Sequence, residues 1–192
     1  QTVTTPLLAD ELQNTTGDTL DVAISPDGKT TLVSRFHDNT VFFIDTSNPA
    51  NPVLSGSVTL SFHAEDIAMT PDGRYALVTD GAFTSSIGVI DVDARTLVEE
   101  FDDSTHDHTA IAVAEDGVTV LSASYYDGLI HVFILDENGH LTYVNSIDVT
   151  NDNTLLPINL TISPDGKTVI VASVISTGLP ADMAFPVLTI TG

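Results

Sequence analysis

An all-β fold, a β-propeller of four-stranded antiparallel blades, is predicted for this chain by three observations. A ten-residue motif occurs four times: Asp-Val-Ala-Ile-Ser-Pro-Asp-Gly-Lys-Thr at 21–30, Asp-Ile-Ala-Met-Thr-Pro-Asp-Gly-Arg-Tyr at 66–75, Ala-Ile-Ala-Val-Ala-Glu-Asp-Gly-Val-Thr at 110–119 and Asn-Leu-Thr-Ile-Ser-Pro-Asp-Gly-Lys-Thr at 159–168. Its turn glycines, Gly28, Gly73, Gly117 and Gly166, lie 45, 44 and 49 residues apart, which is the length of one blade. Between them run short stretches rich in β-branched and aromatic residues, and no segment has a convincing helical period. An immunoglobulin-like sandwich is also all-β, but it does not account for a turn that recurs at one fixed place in each unit.

The elements follow in order. In the first unit a strand at 22–25 enters Pro26-Asp27-Gly28, where proline presets φ, aspartate bonds nearby backbone and glycine accepts a positive φ. Strands are expected next at 31–34 and 41–45, separated by the polar loop at His37, Asp38 and Asn39, and a fourth at 53–58. The second unit repeats the order at 75–79, 87–92 and 97–101, and the third at 118–123, 130–135 and 141–147. The fourth has its turn at Pro164-Asp165-Gly166 and a third strand at 187–191. The blade units are thus placed at approximately 19–60, 61–104, 105–150 and 151–192, in a single propeller domain or propeller fragment. Counting back from the first turn puts a further strand at 5–13, which is expected to serve as the outer strand of the last blade. A closed four-bladed ring, two chains sharing an eight-bladed ring, and a piece of a longer chain all fit this order, with the wider rings preferred.

Composition bounds the function. Five Lys and Arg against 27 Asp and Glu give a net charge of −22, which repels nucleic acid and anionic membranes and attracts cations. A hydrophobic content of 42% excludes a disordered acidic tail, and no apolar run is long enough to span a bilayer. There is no cysteine, so disulfides say nothing about the compartment. Gln1 followed by a Thr-rich stretch reads as the start of a mature secreted chain.

The segments Ile-Ser-Pro-Asp-Gly-Lys-Thr, Tyr-Ala-Leu-Val-Thr and Ile-Gly-Val-Ile-Asp-Val-Asp-Ala-Arg-Thr-Leu (87–97) resemble the YVTN-type propeller repeats of bacterial and archaeal surface and secreted proteins. Ile-Asp-Thr-Ser-Asn-Pro-Ala-Asn-Pro-Val-Leu (44–54) resembles the LVIVD-type repeat. The segment Val-Phe-Ile-Leu-Asp-Glu-Asn-Gly-His-Leu (132–141) looks like a blade of the lactonase-type propellers. The resemblance implies a secreted or cell-surface propeller, usually of seven blades, that serves as a binding or scaffolding module. The preferred reading is that this module binds a protein or glycan partner, or assembles through blade-to-blade contacts as a homo-oligomer or with further blades. The other implication of the resemblance is lactonase-type hydrolysis.

Candidate site residues are sought on the face formed by the loops between second and third strands and those leading into the next blade. His37, His63, His106 and His108 fall there, with the carboxylates Asp38, Glu65, Asp66 and Asp107 beside them. Imidazole and carboxylate on one rim suit zinc or copper, and His37, His63, Asp66, His106 and His108 are the candidate ligands. Aspartate clusters at strand ends offer oxygen donors for calcium, although turn formation is the preferred account of them. Phe36, Asp80, Phe83, Tyr125, Tyr126 and Asp127 form a candidate ligand-binding set of aromatic groups beside carboxylates. No catalytic residue is assigned: a Gly-x-Ser-x-Gly elbow is absent, and Arg35, Arg74 and Arg95 are the only arginines available to hold a phosphorylated sugar.

Overall fold

Turn chemistry punctuates this chain into strands. The computed structural model describes residues 18–81, 85–102, 105–150, 155–175 and 187–189. The first sheet holds β1 (Thr19–Ile24), β2 (Thr30–Arg35), β3 (Thr40–Asp45) and β4 (Val53–Thr59). The second holds β5 (Ile67–Met69), β6 (Tyr75–Thr79), β7 (Ser86–Asp91) and β8 (Thr96–Asp102); the third holds β9 (Ala110–Val113), β10 (Thr119–Ser124), β11 (Leu129–Leu135) and β12 (Leu141–Asp148). The fourth holds β13 (Leu155–Ile162), β14 (Thr168–Ile175) and β15 (Val187–Thr189). Each sheet pairs its strands in sequence order and antiparallel, and the described residues contain no helix. The chain is therefore an all-β propeller whose blades are its sheets. The strand expected at 5–13 lies outside the described residues.

The corners of the first, second and fourth blades are built alike, and the third varies the plan. Gly28 N–H donates to Ser25 O at 2.8 Å, and Asp27 Oδ1 accepts from Ser25 Oγ at 2.7 Å and from Lys29 N–H at 3.0 Å. Asp72 and Asp165 hold the second and fourth corners the same way. In the third, Ala114 replaces the hydroxyl residue and Asp116 binds the amides of Val118 and Thr119. The amide and hydroxyl donors favour the ionised carboxylate. Asp27 is lowered to about 2 in this way, and Asp72, Asp116 and Asp165 are lowered too. Ser25, expected at the end of the first strand, belongs to the corner instead, because its hydroxyl is committed to Asp27.

Alternation along the strands gives each sheet two apolar faces. Leu32, Val41 and Phe43 of the first blade pack on Ile67, Ala76, Val78 and Ile90 of the second. The opposite face of the second, with Leu77, Ile87 and Val89, packs on Ile111, Val120, Phe133 and Leu135 of the third. The third in turn lays Leu121, Ala123 and Ile130 on Leu160, Val169 and Val171 of the fourth. Bulges interrupt the outer pairings at Phe43/Ile44, Val89/Ile90 and Val132/Phe133, adding the twist that lets successive blades turn about an axis. Pro157, which cannot donate to a ladder, sits beside a register shift in β13, a strand at the edge of its sheet.

The inner strands β1, β5, β9 and β13 approach one another in that order around one cavity of about 250 Å³. Asp21, Asp66, Ala110 and Asn159, the first residue of each copy of the motif, line it. β1 begins at Thr19, earlier than expected, because Asp21 is a working strand residue. Its N–H donates to Ser34 Oγ at 2.9 Å, and its carboxylate accepts the Ile67 N–H of the next blade at 3.0 Å.

Successive corners also touch. A methyl group added at Gly73 would lie 3.1 Å from Pro26 Cδ of the preceding corner, whereas one added at Gly28 meets nothing within 4 Å. Both glycines have φ near the left-handed value, 75° and 73°. Gly28→Ala is expected to cost roughly 1–2 kcal/mol, the left-handed penalty alone. Gly73→Ala is expected to cost about 1 kcal/mol more, because the crowded proline is a further burden. Urea unfolding of the two variants measures the difference; equal losses would mean that the corners do not pack against each other.

Candidate functional site

Antiparallel connectivity puts the β2–β3, β6–β7 and β10–β11 turns and the blade-to-blade loops at one end of the sheets, opposite the Pro-Asp-Gly corners. Three groups of side chains gather there. At the junction of the first two blades, His63 stacks on Phe36 with ring centroids 4.3 Å apart, and its Nδ1 lies 3.1 Å from Phe36 O. His37 meets the edge of Phe36 at 5.3 Å and faces the Asp18 carboxylate at 3.5 Å. Asp38 is paired with Arg35, whose guanidinium also covers the Phe42 ring.

The second group surrounds the mouth of the central cavity. Asp66 repeats the part played by Asp21 one blade further on, its Oδ2 accepting the Ile111 N–H at 2.7 Å. Burial pushes Asp66 up to about 7; the Ile111 amide opposes this, and the charges of Asp21 and Glu65 add to it. Glu65 is raised as well, by burial and by the charge of Asp80. Asp80 is fully buried, which takes its side chain off the exposed loop surface.

The third group belongs to the third blade. His131 lies on β11 directly between Ser122 of β10 and Ser146 of β12, and it is fully buried. Its Nδ1 is 2.8 Å from Ser146 Oγ, which is 2.6 Å from the Tyr143 hydroxyl. His106, in the loop entering β9, has its ring centroid 4.4 Å from that of His131 and its Nδ1 2.7 Å from Thr105 Oγ1. Asp127, in the β10–β11 turn, completes a set whose ligand atoms, one from each of His106, Asp127 and His131, all lie within 4.8 Å of one another. His108 is buried beside them, edge-on to His131 at 5.5 Å, with Nδ1 3.0 Å from Ser122 Oγ.

Asp107, between the two loop histidines, is spent on backbone amides and neighbouring hydroxyls. It accepts Ser124 Oγ at 2.5 Å, Tyr125 N–H at 2.7 Å, Thr109 Oγ1 at 3.1 Å and Tyr126 N–H at 3.2 Å. One buried carboxylate thus ties the loop that carries His106 to the turn that carries Asp127.

The structure therefore separates the five expected metal ligands. His37 and His63 share the stack on Phe36, Asp66 faces the cavity, and His106 and His108 join the third-blade group. His131 was not singled out in sequence; its one signal is an imidazole within the otherwise apolar run Leu-Ile-His-Val-Phe-Ile-Leu, 129–135. Of the expected ligand-binding set, Tyr126 is 69% exposed and its ring meets that of Tyr125 edge-on at 5.2 Å, while Phe83 lies outside the described residues.

Sheet order, corner geometry and loop placement define a β-propeller, and solved structures agree. The chain is similar to hydrazine synthase of Kuenenia stuttgartiensis, at 25% identity and a TM-score of 0.72 over 88% of this chain and 48% of that one. It is similar to a chain of the mitotic checkpoint complex, at 15% identity and a TM-score of 0.73 over 94% and 51%. A functionally unknown protein from Desulfotomaculum acetoxidans DSM 771 matches at 16% identity and a TM-score of 0.54 over 90% and 70%. The chain spans about half the length of the first two, both of them propeller proteins. A scan against family models and a search of curated sequences returned no match. Among the described residues no helix is long and apolar enough to cross a membrane.

The raised carboxyl of Asp66 has a defined pH signature. Its folded value, about 7, exceeds the ordinary one of 3.8, so its stabilising contribution is full below about pH 4 and is lost as pH rises through 7. Asp66→Asn keeps an oxygen to accept the Ile111 amide and removes the charge. On moving from about pH 5 to about pH 8.5, wild type is expected to lose on the order of 1–2 kcal/mol more than Asp66→Asn, a figure reduced for solvent screening at the cavity mouth. Denaturant unfolding at the two pH values measures it; parallel losses would place Asp66 in an ordinary solvated setting.

Proposed function

We propose that this chain is an arc of a wider propeller ring, displayed outside the cell, that acts as a binding and scaffold module for a protein or glycan partner. The observation that carries this reading is the state of the two end blades. Leu20, Val22 and Ile24, alternate residues of β1 on the face turned away from the second blade, are 48%, 56% and 63% exposed. On the fourth blade Ile170 points away from the packed Val169 and Val171 and is 45% exposed. Among the described residues every internal face of this type is covered by a neighbouring blade, and these two are of a kind that takes the same cover. A second copy of the chain has the matching face to supply it. The length relation to the hydrazine synthase and checkpoint chains supports a ring wider than one copy.

The acid excess and the YVTN-type likeness support a secreted or surface location. The similar chain of the mitotic checkpoint belongs to a complex, which supports a protein partner, and Tyr126, Tyr125 and Phe36 on the loop end are the groups that would meet it. A metal-dependent or lactonase-type hydrolase is the second reading, favoured by the histidine and carboxylate group of the third blade.

Light scattering coupled to size exclusion, at about 100 µM, tests the ring. Wild type is expected near twice its monomer mass of 20.3 kDa, and Val22→Asp near the monomer mass, with the far-ultraviolet circular dichroism of the two alike. A wild type that stays monomeric would overturn the shared ring.

A further inference from the structure

We infer that the third blade carries a binding site for one divalent transition-metal ion, zinc by preference, formed by His106, Asp127 and His131. The inference goes beyond the scaffold reading and does not rest on it, since all three side chains come from one blade and stay together whether or not the ring is completed. Two imidazole nitrogens and one carboxylate oxygen are the donor types that zinc and its neighbours take, whereas calcium and magnesium favour oxygen alone.

The supporting side chains have the form that metal-binding histidines need. His131 is held by the strand on either side of it. Its Nδ1 is engaged by Ser146 and, through it, by Tyr143, which fixes the ring, so Nε2 is the nitrogen it would offer an ion. Thr105 does the same for Nδ1 of His106. Asp107, although central in the sequence pattern His-Asp-His, is excluded as a ligand by the four donor groups it already serves. Its part is to hold the turn of Asp127 against the loop of His106. The arrangement also has give where it is needed. Ligand atoms around a tetrahedral zinc lie roughly 3.3–3.5 Å apart, closer than the 4.8 Å bound found here. His131 is the fixed member, while the exposed Asp127 and half-buried His106 sit on a turn and a loop that can close on an ion. Three protein ligands leave a further position for water, so the site is open rather than sealed.

The test is a calorimetric titration of the full chain, stripped with EDTA and dialysed, using zinc chloride, with a parallel titration of cobalt chloride followed by its visible absorption. One ion per chain is expected, with cobalt bands of four- or five-coordinate intensity. His106→Gln and Asp127→Asn are each expected to weaken zinc binding by roughly tenfold or more. His37→Gln and His63→Gln, on the neighbouring stack, are expected to bind as wild type does. Because His131→Gln alters the blade interior and can unfold it, the two loop variants decide the matter. Absence of saturable binding below about 100 µM, unchanged binding in His106→Gln and Asp127→Asn, or loss of binding in His37→Gln or His63→Gln would each overturn the site.

Discussion

A four-stranded sheet with apolar side chains on both faces has no interior of its own, and this constraint governs the whole chain. Burial of a side chain such as Phe43 or Phe133, both fully enclosed, requires a second sheet to be laid against the first. The three apolar clusters are therefore interfaces between blades: Leu32 and Val78 share one, Leu77 and Val120 the next, and Ala123 and Val171 the third. Stability passes from each sheet to the next, as in other repeat architectures where each unit leans only on its neighbours. The exposed row Leu20, Val22 and Ile24 is the same constraint seen where the series of described blades starts.

Aspartate performs the complementary polar work, and much of the negative charge has a structural use. At the corners, Asp27, Asp72, Asp116 and Asp165 gather amide and hydroxyl donors within a turn and are held ionised by them. Around the cavity, Asp21 and Asp66 reach across to the next inner strand and satisfy one of its amides. The two roles have opposite electrostatic consequences. A corner carboxylate is solvated and surrounded by donors, so its charge is favoured; Asp66 is buried next to Asp21 and Glu65, so its charge is resisted. The motif carries both residues, six positions apart in each of the first two blades, as its first residue and as the aspartate of its Pro-Asp-Gly corner.

The third blade departs from its neighbours in a coordinated way. Ala110 stands where Asp21 and Asp66 stand, so the carboxylate bridge to the following blade is missing there. In the same blade a row of Ser122, His131 and Ser146 crosses three strands, His108 packs beside it, and Asp107 binds the β10–β11 turn. Polar groups that the first two blades place at the cavity are here placed between the outer strands and the loops. They must be bonded to one another because the surroundings are dry.

Local chemistry determined much of this protein directly from its sequence. Pro-Asp-Gly makes a corner wherever it occurs, because proline, aspartate and glycine each satisfy a requirement of the turn within a few residues. Strand alternation likewise announces two apolar faces, and four copies spaced 44 to 49 residues apart announce blades. The site was legible only in part: His106 and His108 stand in a polar loop where function is commonly found, but His131 sits in an apolar strand and reads as core. What only the tertiary structure decided is which distant groups meet. His106, Asp127 and His131 come together because a carboxylate at 107 captures amides at 125 and 126 across the blade end. His37 and His63 are drawn instead to Phe36. Such meetings depend on loop paths and sheet twist, which are set by packing between blades and leave no periodic trace along the chain.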